Sequence, residues 1–211
     1  MKQVSLFILF AFFIAICNLS RAQETVKDFD GNVYKTVKAG SQLWMAENLK
    51  VTHYRNGNPI PNVKDPKEWI KLTSGAYCDV NNNPDMTKVL GRLYNWYCVN
   101  DPRNLCPAGW HVPTDADWNT LAILLYGEKG NGGVLPGWVE INKSLFKLLP
   151  EPFRGYDGEF SHIGYGGGGW WSSTVSTPET AFYRNVSYNT ITRVHLEGLK
   201  YYGYNVRCIK D

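Results

Sequence analysis

Cys208 stands near the end of the sequence, and the cysteine nearest before it is Cys106. Joined, those two sulfurs would tie the end of the chain to its middle across a loop of about 100 residues, a cross-link worth up to ~4.7 kcal/mol in the chain-entropy account. That bridge would be a main staple of the fold. Whether the sulfurs are oxidised depends on the compartment, and the opening residues speak to it. Lys2 is followed by an apolar run from Val4 to Ile16, the length of a signal-peptide core and short for a membrane span. Ser20 and Ala22 are the small residues a signal peptidase requires, so residues 1–22 read as a signal peptide and 23–211 as the mature chain. A lipid anchor at Cys17 is the lesser alternative, because Ile16 occupies the position where a lipoprotein signal wants a small residue. Both readings place the protein outside the cytoplasm.

Four cysteines follow the signal: Cys78, Cys98, Cys106 and Cys208. An even number in an oxidising setting favours pairing, and no Cys-x-x-Cys or His-rich spacing suggests metal instead. Three connectivities are open; Cys78 with Cys98 and Cys106 with Cys208 is preferred. The length suits one domain with a sizeable core. A net charge of +3 with scattered basic residues gives no surface for nucleic acid. Eight Trp, thirteen Tyr and twenty Gly point to a loop-rich fold pinned by large rings and exclude disorder.

Local patterns give an α+β domain. Asp30-Gly31 and Ala39-Gly40 punctuate runs rich in Val, Tyr and Thr, which predicts two successive hairpins. In "LYNWYCVN", Leu93, Trp96, Tyr97 and Asn100 recur at helical intervals and predict a short helix after Gly91. In "HVPTDADWNTLAILLYG", Thr114 and Asp117 form a capping box, Trp118, Leu121, Ala122 and Leu125 share a face, and Gly127 ends the helix. Residues 128–169 read as a long loop region, and "WWSSTV", "AFYRNVSY", "ITRVHL" and "YNVRCIK" as four strands. Two helices between opening and closing strands predict an antiparallel sheet joining both termini. No solenoid or propeller repeat is visible.

Five stretches, "GSQLWMAENL", "GRLYNWYCVND", "PAGWHVPTDADW", "GGWWSST" and "YNVRCIKD", in that order, resemble the Fibrobacter succinogenes major paralogous domain over nearly all of residues 23–211. The resemblance implies a secreted or surface protein and carries no biochemical role. A more remote similarity of "HVPTDADW" and the terminal "VRC" to formylglycine-generating-enzyme domains implies a C-type-lectin-like single domain, and fold alone does not carry function. That oxidase chemistry needs a redox pair of cysteines in the C-terminal part, where Cys208 stands alone. Lectins that hold sugar through calcium use Glu-Pro-Asn or Gln-Pro-Asp with Trp-Asn-Asp, and "PEP" and "WWSST" are no substitute.

Candidate sites are sparse. In "YCDVNNNPDM", Asp79, Asn81, Asn83 and Asp85 alternate as a calcium loop's oxygens do, but counted from Asp79 the glycine and glutamate of an EF-hand would be Pro84 and Leu90. The expectation is a polar turn and no cofactor, with calcium the alternative. Gly164, Gly166 and Gly169 match a dinucleotide pattern without the strand and helix it requires. His53, His111, His162 and His195 lack zinc or hydrolase spacing. Two of Glu151, Asp157 and Glu159 would serve glycoside hydrolysis if the fold brought them within ~5–9.5 Å. Trp44, Trp96, Trp110 and Trp118 read as core, whereas Trp138, Tyr165, Trp170, Trp171, Tyr201 and Tyr202 lie in or beside glycine-rich segments and are the candidate ligand-binding rings. The function expected is a non-catalytic surface binding or adhesion module for a glycan or a surface protein. A glycan-acting hydrolase and a packing domain of an envelope assembly are the alternatives.

Overall fold

The computed structural model describes residues 24–126, 152–161, 168–187, 190–191 and 196–211. The expected rings Trp138 and Tyr165, and with them Glu151, His162, His195, Gly127, Gly164, Gly166 and Cys17, lie outside the described residues.

Turn chemistry shapes the opening. β1 (Thr25–Lys27), β2 (Val33–Ala39) and β3 (Gln42–Met45) form the two expected hairpins. Gly31 and Gly40 sit at φ +86° and +61°, a region a side chain rarely adopts. Asp28 fixes the first turn by accepting from the Asn32 amide (2.9 Å) and the Tyr34 hydroxyl (2.5 Å). β12 (Ile209–Lys210) lies between β3 and β6 (Trp110–His111), antiparallel to both, giving a five-stranded sheet in the order β1-β2-β3-β12-β6. A second sheet runs β10 (Leu196–Leu199), β8 (Thr180–Ser187), β7 (Gly168–Val175), β11 (Tyr204–Asn205), β5 (Arg92–Tyr94), β4 (Tyr77–Asp79), with β9 (Thr190–Ile191) beside β8. Within it the β11–β7 pair is parallel, and every other pair is antiparallel. Residues 204–210 thus pass from the second sheet into the first, and the Cys106–Cys208 disulfide, spanning 102 residues, anchors that passage.

The described residues hold four helices, two more than expected: α1 (Pro66–Trp69), α2 (Pro84–Leu90), α3 (Trp96–Val99) and α4 (Asp115–Tyr126). Asp65 caps α1 and Asn83 caps α2, each ahead of a proline at the first helical position, a start signal present in the sequence. α4 carries its capping box: Thr114 N–H donates to Asp117 Oδ2 (2.9 Å) and Asp117 N–H to Thr114 Oγ1 (3.2 Å). The helix expected from Leu93 onward is corrected to a strand and a single turn. Leu93 and Tyr94 pair with β4 and β11, and Asn95 then caps α3 by accepting from the Cys98 amide at 3.2 Å. Sheet pairing outweighs the local period there. Among the described residues no helix is long and apolar enough to cross a membrane.

Among the described residues three apolar clusters fill the interior. The largest gathers Tyr34, Leu49, Tyr94, Trp96, Trp110, Trp171, Tyr204 and Val206 around the disulfide. A second packs Trp118, Leu121 and Ala122 of α4 against Trp44, Ile209 and Trp170, with the Trp44 and Trp118 rings 4.8 Å apart. A third surrounds Trp69 with Ala76, Cys78, Val80 and Leu93.

Two sequence expectations are corrected by strand alternation. β7 is an interior strand of a sheet covered on both faces, so consecutive residues enter different clusters: Trp170 faces α4 and Trp171 faces the main core. Both are fully buried, and their indole N–H groups donate to Asn48 Oδ1 (2.9 Å) and the Tyr94 carbonyl (2.8 Å). Neither ring is a binding surface. On β4, Tyr77 faces the main core where Cys98 lies, while Cys78 points the other way into the Trp69 cluster. Cys78 and Cys98 are therefore free buried thiols and not a disulfide. Burial pushes each of these thiols up to about 12, which leaves them unreactive.

Candidate aromatic cleft

The cleft begins with a hairpin. In "FRGYDGEF", residues 153–160, Asp157-Gly158 supplies the turn: Gly155 N–H donates to Glu159 O (2.9 Å) and Ser161 N–H to Phe153 O (2.9 Å). Gly158 has φ +79°, and a Cβ there would lie 2.3 Å from the Pro66 carbonyl oxygen, so only glycine fits. Asp157 Oδ1 accepts from the Glu159 amide at 3.1 Å, holding the tip.

Arg154 fixes this hairpin to the body. It exchanges both backbone hydrogen bonds with Gly203 (2.9 Å each), which sets the hairpin beside the corner between β10 and β11. Its side chain is fully buried, and the guanidinium donates to the carbonyls of Gly158 (2.5 Å), Val63 (2.6 Å) and Lys64 (2.5 Å). It also stacks 4.5 Å from the Trp69 ring and 5.2 Å from Phe160. A buried guanidinium is stable only when its donors are satisfied, and here they are spent on the backbone.

Between hairpin and sheet lies a cleft of about 340 Å³ lined by Phe153, Tyr156, Phe160, Tyr183, Tyr202 and Tyr204, with Asp157, Glu159 and Ser161 at its polar edge. Tyr183 and Tyr204 stack at 4.4 Å, Phe153 lies 5.4 Å from Tyr204, and Tyr202 stands edge-on to Tyr204 at 6.1 Å. Gly169 makes this possible, because a Cβ there would meet the Tyr204 ring at 2.5 Å. The last glycine of the dinucleotide-like pattern is thus a packing residue. Burial, with the neighbouring Tyr183 phenol next, holds Tyr204 well above the usual phenol range; Tyr201 and Tyr202 are raised by burial and, among lesser causes, the charge of Asp157. These phenols stay neutral at working pH.

Of the expected ligand-binding rings, Tyr202 lines the cleft and Tyr201 lies at its margin, donating from its hydroxyl to the Tyr156 carbonyl at 3.3 Å. Phe153, Tyr156, Phe160, Tyr183 and Tyr204 were not singled out from the sequence. The signal that could have found the first three is Asp157-Gly158 flanked by aromatics, a hairpin motif inside a stretch read as loop.

The alternating Asp/Asn loop is a turn and a cap. Asp79 is buried, accepts from the Thr87 hydroxyl (2.5 Å) and pairs with Arg92 (3.1 Å). Asn81 donates to Met86 Sδ at 3.8 Å, Asn83 Oδ1 accepts from the Asp85 amide at 3.0 Å, and the exposed Asp85 carboxylate meets Lys88 at 2.9 Å. Each of the four thus has a protein partner within this turn and cap. Among the described residues no group of three or more His, Cys, Asp or Glu comes together that could hold a metal ion.

The two described histidines are clamps. His53 Nδ1 meets both Asp30 Oδ1 (2.6 Å) and Thr52 Oγ1 (3.1 Å), so acid and hydroxyl share one nitrogen, unlike a nucleophile triad. His111 meets Asp211 through Nδ1 (2.6 Å) and Asp117 through Nε2 (3.3 Å), joining the end of the sequence to the cap of α4. Burial would raise Asp30 and Asp117, but hydrogen bonds from Thr52 and His53 to the first, and from Thr114 and His111 to the second, hold both below the usual carboxylate range. A folded value below the unfolded one gives stability that is present above the unfolded value, near ~4, and is lost as pH falls through the folded value. Melting temperature is therefore expected to hold from pH 7 to 5 and to drop below about pH 4, with a smaller drop in Asp117→Asn; acid melts identical for the two proteins would refute the clamp.

The Fibrobacter succinogenes major domain family model matches residues 37–210, and the chain belongs to that family. Searches of curated proteins and of solved structures each found no match.

Proposed function

We propose that this protein is an exported, non-catalytic binding module of the bacterial surface that takes a glycan ligand in the aromatic cleft. The observation that carries the reading is the lining itself: six rings with two carboxylates and a serine at the edge. Aromatic faces stack on the C–H faces of sugar rings while carboxylate oxygens accept from their hydroxyls, and a volume of about 340 Å³ falls at the lower end of small-ligand sites. Export is supported by the opening residues, and the family membership agrees with it. We further read the architecture as C-type-lectin-like; the placement of β12 between β3 and β6 supports that reading.

The test is a glycan and surface-protein binding screen run in parallel on the wild type and on Tyr156→Ala, a ring 72% exposed and so removable without loss of fold. Glycan binding by the wild type, reduced at least tenfold in the variant, is expected; equal binding by the two would remove the cleft from the reading. Asp157 and Glu159 in the cleft keep a hydrolase as the second reading, and sugar release that disappears in Glu159→Gln would establish it.

A further inference from the structure

The cleft combines rings with negative charge. Asp157 and Glu159 are exposed at its edge, and among the described lining residues there is no Lys, Arg or His. The nearby cation, Arg154, is buried behind the hairpin with its guanidinium turned to the Gly158, Val63 and Lys64 carbonyls. Tyr183 and Tyr204 stack on each other, while Tyr202 stands nearly perpendicular to Tyr204 and Phe153 is tilted against it. Ring faces carry negative quadrupole charge, so rings set in several planes beside carboxylates attract a cationic group within about 6 Å of a face. A neutral sugar would meet the rings and offer hydroxyls to the carboxylates, whereas an ammonium would add a charge-assisted hydrogen bond to them.

We infer that the cleft selects a glycan whose terminal unit carries a free amino group, its ammonium held by Asp157 and Glu159 against the rings of Tyr156 and Tyr202. This rests on the glycan-binding reading above and narrows it to one ligand class. Asp157 reaches the ligand with the oxygen its turn does not use, since Oδ1 is engaged by the Glu159 amide. Asn at 157 preserves that acceptor, so charge is removed without opening the hairpin.

The experiment is calorimetric titration of the protein with three oligosaccharides of equal length: a β-linked glucosamine oligomer with free amines, its fully N-acetylated form and a neutral glucan. A lysine-rich peptide is the fourth arm. The free-amine oligomer is expected to bind at least tenfold more tightly than either other sugar. Combined Asp157→Asn and Glu159→Gln substitution should erase that preference at unchanged melting temperature, and 0.5 M salt should weaken it. Equal affinity for the three sugars would overturn the amine selection and leave glycan binding standing. Binding of the peptide without any sugar would overturn the ligand class, and failure of every glycan in the broader screen would overturn both readings.

Discussion

Reduction of the Cys106–Cys208 bridge is expected to lower the unfolding free energy by about 4–5 kcal/mol, the figure for releasing a loop of about 100 residues in the chain-entropy account. Against a typical domain stability of about 5–15 kcal/mol, that is a large fraction. The bridge holds residues 204–210 where they cross from one sheet to the other, with Leu49 N–H donating to Val206 O at 2.8 Å and Met45 N–H to Cys208 O at 2.9 Å. Its loss frees the segment that carries β11 and β12, one strand of each sheet. Denaturant titrations with and without reductant check the magnitude; a midpoint unchanged by reductant would contradict it. Thiol labelling of the unreduced protein adds a second readout. Cys78 and Cys98 are expected to react only on unfolding, because both are buried and held protonated.

The second large effect is expected at Arg154. Arg154→Met keeps an unbranched stem but removes the guanidinium that lies over Trp69 and Phe160 and leaves the carbonyls of Gly158, Val63 and Lys64 without their donor. An unpaired buried polar group costs about 1–3 kcal/mol, and with the lost cation–π contacts the total is about 3–5 kcal/mol. Arg154→Lys should recover little, since a point ammonium cannot reach three divergent acceptors as a planar fork does. The same substitution should abolish ligand binding, because Arg154 carries the hairpin that forms one wall of the cleft. Denaturation and binding measured on one preparation test both; stability within 1 kcal/mol of wild type would show that the buried guanidinium is dispensable.

How much could be read from the sequence follows from the range of each interaction. The Asp30-Gly31 and Ala39-Gly40 hairpins and the Thr114–Asp117 capping box are set by neighbours in the chain, and all three are present. Trp170 and Trp171 depend on the order of strands far apart in sequence: beside glycines they resemble a loop, but an interior strand covered on both faces buries them both. The two free thiols turn on the same parity, since shifting β4 by one residue would exchange the faces of Tyr77 and Cys78. Asp65-Pro66 and Asn83-Pro84 announced their helices, but short polar helices carry too little apolar period to stand out from turns. The cleft was half legible. Tyr202, Asp157 and Glu159 were singled out, whereas Tyr183 and Tyr204 join them only because β8 and β11 flank β7 and the Arg154–Gly203 bridge brings the hairpin to that edge.

The proposed function stands or falls on whether the rings around Tyr204 receive ligand. Titrating isotope-labelled protein with the tightest glycan from the screen and following backbone and ring resonances tests it most directly. Shifts are expected to concentrate at Phe153, Tyr156, Tyr183 and Tyr202, with the β1–β2 face unmoved and the glycan recovered intact; shifts centred elsewhere, or a glycan cleaved during the titration, would overturn the binding reading.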